Sequence, residues 1–539
     1  MPTVADLLAQ TLQAAGIDTV FGLPGGENVA VMDALRRHNF RFVLARNESS
    51  AVFMADVTAR LTGKPSVCLT TLGPGAANAV AGVAHAYLER TPVLIITAQT
   101  PEHLLAYHTH QVLDLGTLFA PITKGTFTVD AANAQETIAH TLRLTVAGRP
   151  GPVHLRISNE AAAQPVSTAA ATGNLLPPEP PTHSDVSAAR ACLTQAEKPV
   201  VVAGLGLEPE GPYSVLQTLA EALHAPVITT PKAKGALPED HPLAAGVIGL
   251  TRTDPAYQIL DEADCILAVG FDVVELVKPW QQTAPLVWVA AWANVDPTIT
   301  AVAECVGPLE PLLGQLADTG FTPHPAWGAT RVAALRQALA QQILPPPAPE
   351  RLLPQTVLQI VRQTIPRATL VTTDVGSHKI LAGLTWPAYA PNRYMVSNGL
   401  SCMGFALPAA IAASLALPGQ AIVCFTGDAG FSMVLGELGL LTELNLPVIV
   451  VLFNDNALDL IRSAQVRAGK PVYGTEFINP NFCQIATAYR LDAYRVQTEA
   501  ECAKALQTAL VNQRPALIEA LIDPSSYPTT PRKAVDSRQ

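Results

Sequence analysis

The chain has 539 residues, a formal net charge of −10 and a pI near 5.7. An apolar fraction of 49% with 14% charged residues is globular composition for about three domains and rules out disorder. The excess of 44 Asp+Glu over 34 Lys+Arg excludes a basic nucleic-acid footprint, and no apolar run approaches the ~20 residues of a membrane helix.

In chain order, Val4–Ala15 has helical spacing, and strand-like runs follow at Thr19–Gly22, Phe42–Leu44, Ser66–Thr71 and Val93–Ala98. Ala161–Asp185 is Ala/Thr-rich and ends in Pro177-Pro178-Glu179-Pro180-Pro181, a semi-rigid linker composition. Beyond it, Pro199–Ala203, Val227–Thr229, Cys265–Val269 and Leu286–Val289 read as strands. A second proline-rich linker, Leu344–Pro354, precedes strands at Thr369–Thr373, Ala421–Phe425 and Val448–Asn454. Continuous apolar strands alternating with helices predict parallel sheets covered on both faces: an α/β chain of three doubly wound domains, at 1–165, 186–340 and 355–530. The first residues, Met1 to Asp6, lack the basic and apolar regions of a signal peptide. Eight dispersed cysteines with no CxxC pair read as buried thiols of a reducing, cytoplasmic setting.

The most informative stretch is Gly427-Asp428-Ala429-Gly430-Phe431, directly after an apolar strand. The next strand ends in Asn454-Asp455-Asn456, with Asp455 27 residues beyond Asp428. That spacing fits one strand–helix–strand crossover, so both clusters emerge at carboxyl ends of parallel strands, where open α/β sheets bind ligands. Singly, Asp428 reads as a helix cap and Asn454-Asp455-Asn456 as a turn. Together, their oxygen donors and the small residues opening a helix suit a hard cation bridging a diphosphate.

These residues resemble the signature of thiamine diphosphate-dependent enzymes of the acetolactate synthase type. The resemblance implies that Asp428, Asp455 and the Ala457 carbonyl hold Mg²⁺, and that Gly427, Ala429, Gly430 and Leu458 surround the diphosphate. Ala429 replaces the family's third glycine, and Asp455 replaces an asparagine, adding a carboxylate. Arg46-Asn47-Glu48 is similar to the family's Arg-His-Glu, which implies that Glu48 is the acid/base, hydrogen-bonded to the aminopyrimidine N1′. Phe21-Gly22-Leu23-Pro24-Gly25-Gly26 resembles the glycine-rich turn over the reactive carbon. Decarboxylase relatives carry aspartate where Gly26 stands, and they carry adjacent histidines where this chain has His108-Thr109-His110; both differences imply carboligation.

The segment Thr71–Asn78 resembles one near the cofactor and subunit interface, Gln111 an active-site glutamine, and Lys124 a lysine at the substrate entrance. Surface residues would look the same at the last two positions. His108 and His110 are proton carriers or residues of a solvated loop. Asp374-Val375-Gly376-Ser377-His378 resembles a diphosphate-contacting turn, giving Ser377 and His378. Asn398–Gly404 resembles the loop whose methionine bends the cofactor, giving Met403 and the Ser401 carbonyl.

Two family features are absent. Ala464 stands where a tryptophan favours 2-ketobutyrate, and Phe271-Asp272-Val273-Val274-Glu275 replaces a stretch bearing an acceptor-binding arginine. In the middle domain Gly204-Leu205-Gly206 lacks the full dinucleotide fingerprint, so FAD is not expected to be essential. The implied domain roles are pyrimidine-binding at the N-terminus and diphosphate-binding at the C-terminus. The implied activity is decarboxylation of a 2-keto acid, pyruvate first, and carboligation of the resulting enamine to a second carbonyl. A 2-keto acid decarboxylase, an aldehyde lyase or ligase, and a flavin-bearing oxidase are the alternatives. A homodimer or homotetramer is implied, with Glu48 of one subunit meeting Asp428 and Asp455 of another.

Overall fold

The computed structural model describes residues 1–107, 109–166, 183–207, 209–251, 253–277, 280–317, 321, 324–342 and 351–527. His108 and most of both proline-rich linkers lie outside them. Two compact units result, 1–180 with 411–416, and 181–410 with 417–539.

The first unit carries one six-stranded parallel sheet, and the second carries two sheets. Numbered by chain order within each sheet, the N-terminal and C-terminal sheets share the order 2-1-3-4-6-5. In both, the chain steps outward from strand 1 to strand 2 and returns to strand 3 on the other side. That reversal opens a crevice beyond the carboxyl ends of strands 1 and 3, the ligand position in doubly wound sheets. The middle sheet has seven strands, six parallel ones and the two-residue His183–Ser184, which pairs antiparallel at one edge.

The middle sheet shows why these runs become strands. Val201, Ala203, Leu267, Val269, Val287 and Val289 join one core cluster. Their alternating neighbours Val200, Val202, Ile266, Ala268, Leu286 and Trp288 join another. Successive side chains of a strand point to opposite faces, so only an unbroken apolar run fills both. Predicted and observed bounds agree for Pro199–Ala203, Val227–Thr229, Cys265–Val269, Val93–Ala98 and Val448–Asn454. The first helix runs Val4–Ala14, with Thr3 and Asp6 forming a capping box.

Five cysteines are buried, whereas Cys192, Cys402 and Cys483 are only half-buried; all eight are free thiols. No helix among the described residues is long and apolar enough to cross a membrane.

Candidate functional site

In the first unit the site is built at the crevice of the N-terminal sheet. Strand Arg41–Leu44 leads to Asn47, whose side chain accepts from the Ser49 N–H at 2.9 Å and caps helix Glu48–Thr62. Glu48 is therefore the helix's first residue, yet it is 7% exposed, which sets it apart from the solvated carboxylates usual at that position. Helix Pro74–Leu88 packs closely beside it: a Cβ on Gly82 would lie 2.6 Å from Val52 Cβ. That approach lets Asn78 Nδ2 donate to Glu48 Oε2 at 3.2 Å. Burial, with Glu48's charge nearby, pushes the Cys68 thiol up.

Gly26 is exposed and a Cβ there would meet nothing within 4 Å, so the turn leaves open space where decarboxylase relatives carry a carboxylate. Gln111 is exposed, adopts a left-handed backbone (φ 59°) and packs against Gly73 in the Thr71–Asn78 segment. His110 is exposed. Lys124 reads differently in three dimensions. Its ammonium donates to the Ala147 carbonyl, which ends helix Ala134–Val146, and burial lowers its pKa to about 8. This cation is occupied at a helix C-terminus.

In the second unit a cleft opens at the crevice of the C-terminal sheet. It is lined by Gly376, Ser377, His378, Met403, Gly427 to Gly430, Asp455, Ala457 and Leu458, so ten of the predicted positions converge there. Asp428 is 2% exposed and organises the floor. Its Oδ2 accepts from the Asn456 N–H and from Asn479 Nδ2, both at 2.7 Å, and its Oδ1 from the Ala429 N–H at 2.8 Å. Burial raises its pKa. Asp455 is pushed up to about 7 by burial and by the negative charges of Asp428 and Asp459. The Asn456 turn (φ 59°) leads into a two-stranded bridge, with Leu458 N–H donating to the Thr475 carbonyl and Phe477 N–H to that of Asn456. The Ala457 carbonyl between them accepts no backbone hydrogen bond from the described residues.

His378 is 5% exposed and stacks on Phe453 at 5.6 Å; burial lowers its pKa to about 3, so the ring is neutral. Its Nε2 has no hydrogen-bond partner among the described residues. Gly427 makes room for the ring, since a Cβ there would sit 3.0 Å from His378 Cε1. Ser377 Oγ donates to Asp459 Oδ2 at 2.8 Å.

Several residues escaped the sequence reading. Asp374, fully buried, accepts from the N–H groups of Val375 and Gly404 and from Thr426 Oγ1, and burial raises its pKa to about 6. It thereby pins the loop carrying Met403 to the strand ends. A Cβ on Gly430 would lie 2.3 Å from Asp374 Oδ2, so position 430 has no room for a side chain. Lys379 donates to the Ser397 carbonyl at 2.8 Å and to Ser401 Oγ at 3.3 Å, holding Ser401 in its left-handed conformation (φ 54°). Asp459, paired with Arg462 at 2.8 Å, and Asn479 complete the group. Only Asp374 and Asp459 carried a sequence signal, as acids inside the quoted motifs or just beyond them.

In the middle domain Glu275 is buried and accepts from the Leu205 N–H at 2.9 Å and the Lys232 N–H at 3.2 Å. The glycine-rich turn thus spends an N–H on the chain's own carboxylate. A Cβ on Gly204 would lie 2.5 Å from Phe271 Cα, so that glycine serves close strand packing.

Comparison with known proteins finds three matching family models. Residues 2–118 match the thiamine pyrophosphate enzyme N-terminal TPP binding domain, 186–316 the central domain and 374–520 the C-terminal TPP binding domain. The chain is 31% identical to the acetolactate synthase isozyme 1 large subunit of Escherichia coli K12, over 99% of this chain and 97% of that one. It is 30% identical to an acetolactate synthase of Bacillus subtilis 168, covering 96% and 93%. It is 29% identical to a probable acetolactate synthase large subunit of Methanocaldococcus jannaschii, covering 97% and 92%.

Proposed function

Because the chain belongs to the thiamine pyrophosphate enzyme family, we propose that it decarboxylates a 2-keto acid, pyruvate first, and joins the remaining fragment to a second carbonyl compound. The observation that carries this reading is the convergence of Asp428, Asp455 and Ala457 in one cleft with the orphaned His378 Nε2. Hard oxygen donors of this kind suit Mg²⁺. Among the described residues no three His, Cys, Asp or Glu side chains form a metal cage; Asp428 and Asp455 would hold the cation, and a bound diphosphate would supply further oxygen ligands. When bound, thiamine diphosphate supplies a nucleophilic carbon and an electron sink for cleaving the bond between a carbonyl and a carboxylate.

The chain's residues do the rest. Glu48 passes a proton in a buried corner where Asn78 fixes its orientation. Asp374 and Lys379 keep the Met403 loop in place against the cleft. The open space at Gly26 leaves room for a second carbonyl compound. Glu275, by occupying the Leu205 N–H, supports a reaction in which FAD is not essential. Assembly of Glu48 with Asp428 and Asp455 of the partner subunit, as a homodimer or homotetramer in the cytoplasm, belongs to the same proposal.

Purified protein supplied with thiamine diphosphate, Mg²⁺ and ¹³C-labelled pyruvate is expected to form labelled acetolactate or its decarboxylation product acetoin, followed by NMR. Acetaldehyde as the sole product would reassign the enzyme to the decarboxylases, and unconsumed pyruvate would remove pyruvate as donor.

A further inference from the structure

Glu27 lies one residue beyond the open Gly26 position, in the turn that follows strand Thr19–Leu23. It is half-buried, and Thr71 Oγ1 donates to its Oε2 at 2.8 Å. Thr71 follows strand Ser66–Thr70, so this bond spans the crevice between strands 1 and 3 of the N-terminal sheet. Two glycines make the arrangement feasible. A Cβ on Gly25 would lie 2.4 Å from Thr71 Oγ1 and 3.0 Å from Glu27 Oε2. A Cβ on Gly75 would lie 2.7 Å from Thr71 Cγ2 and 3.3 Å from Glu48 Oε1. Thr71 therefore stands between two carboxylates, its hydroxyl on Glu27 and its methyl on the side of Glu48. The Glu27 Oε1 atom receives no hydrogen bond from the described residues.

Resting on the function proposed above, we propose that Glu27 is a specificity-determining residue of the Glu48 site, selecting a neutral, hydroxyl-bearing aldehyde as acceptor over a second 2-keto acid. A carboxylate anchored by one oxygen offers the other to a hydroxyl donor, an interaction that is strong because the acceptor is charged. The same charge repels an incoming carboxylate. The reaction is redox-neutral. The donor's bond between carbonyl carbon and carboxylate breaks, and carbon dioxide leaves. The electron pair left on the carbonyl carbon forms the new bond to the aldehyde carbon, and the aldehyde oxygen takes up one proton.

The test is a competition in the holoenzyme, with pyruvate as donor and either glycolaldehyde or pyruvate as acceptor, kcat/KM being read for each carboligation product. Wild type is expected to favour glycolaldehyde, and Glu27→Gln to lower that preference about 10-fold to 100-fold, the worth of a hydrogen bond to a charged group. The amide oxygen still accepts from Thr71, so the turn keeps its anchor. Thr71→Val, which keeps the charge and frees its position, is expected to lower the preference less. An acceptor ratio unchanged in Glu27→Gln overturns this inference alone. A wild-type enzyme that releases no carbon dioxide from pyruvate overturns the underlying reading as well, and the inference with it.

Discussion

Glu48→Gln is expected to lower turnover about 10²-fold to 10⁴-fold, the usual contribution of a positioned acid–base group. The substitution is nearly isosteric. Its amide oxygen still accepts from Asn78 Nδ2, which reaches Glu48 Oε2 at 3.2 Å in the wild type. Helix Glu48–Thr62 keeps its Asn47 cap. What disappears is the capacity of a buried side chain to hold and release a proton. Steady-state turnover at saturating cofactor, with a thermal melt as the control for folding, measures this. Activity within a factor of three of wild type in a normally folded variant would remove Glu48 from its role.

Asp428→Ala is expected to raise the apparent Kd for thiamine diphosphate in Mg²⁺ by about 100-fold or more. The Asp428 carboxylate accepts from the Asn456 N–H and Asn479 Nδ2, both at 2.7 Å. Its removal takes away the proposed cation ligand and the acceptor of the Asn456 N–H, while Asn479 Nδ2 keeps Asn454 Oδ1 at 2.9 Å and Asn456 Oδ1 at 3.2 Å. Those losses fall on the turn that presents Asp455 and Ala457. Calorimetric titration of the variant in Mg²⁺ gives the Kd directly. Unchanged affinity would place the cation elsewhere.

Legibility in the sequence followed burial and contiguity. Val448–Asn454 is buried along its whole length, so its apolar run marked both ends of the strand. Two edge strands gave no such signal. Asp492–Val496 has only Val496 buried, and Thr126–Val129 only Val129, because one side of each faces solvent or a thin cover. Asp428, Glu48 and His378 stood out because each belongs to a short contiguous motif at a strand end. Asn479 did not, lying 51 residues from Asp428 in a loop that only the folded chain brings back. The carboxylate of Glu27 was hidden in a turn whose glycines drew the reading, and its meaning depends on Thr71, 44 residues away. The hydrogen bond of Lys124 was hidden for the same reason: its partner, the Ala147 carbonyl, is set by how helix Ala134–Val146 ends.

On the proposed function, this chain holds thiamine diphosphate through a divalent cation in the Asp428–Asp455 cleft. Titrating thiamine diphosphate into the purified protein by calorimetry, with Mg²⁺ and again after chelation, tests it most directly. Saturable binding with Mg²⁺, lost on chelation, is the expected result. Binding that is indifferent to the cation, or absent in both conditions, would contradict it.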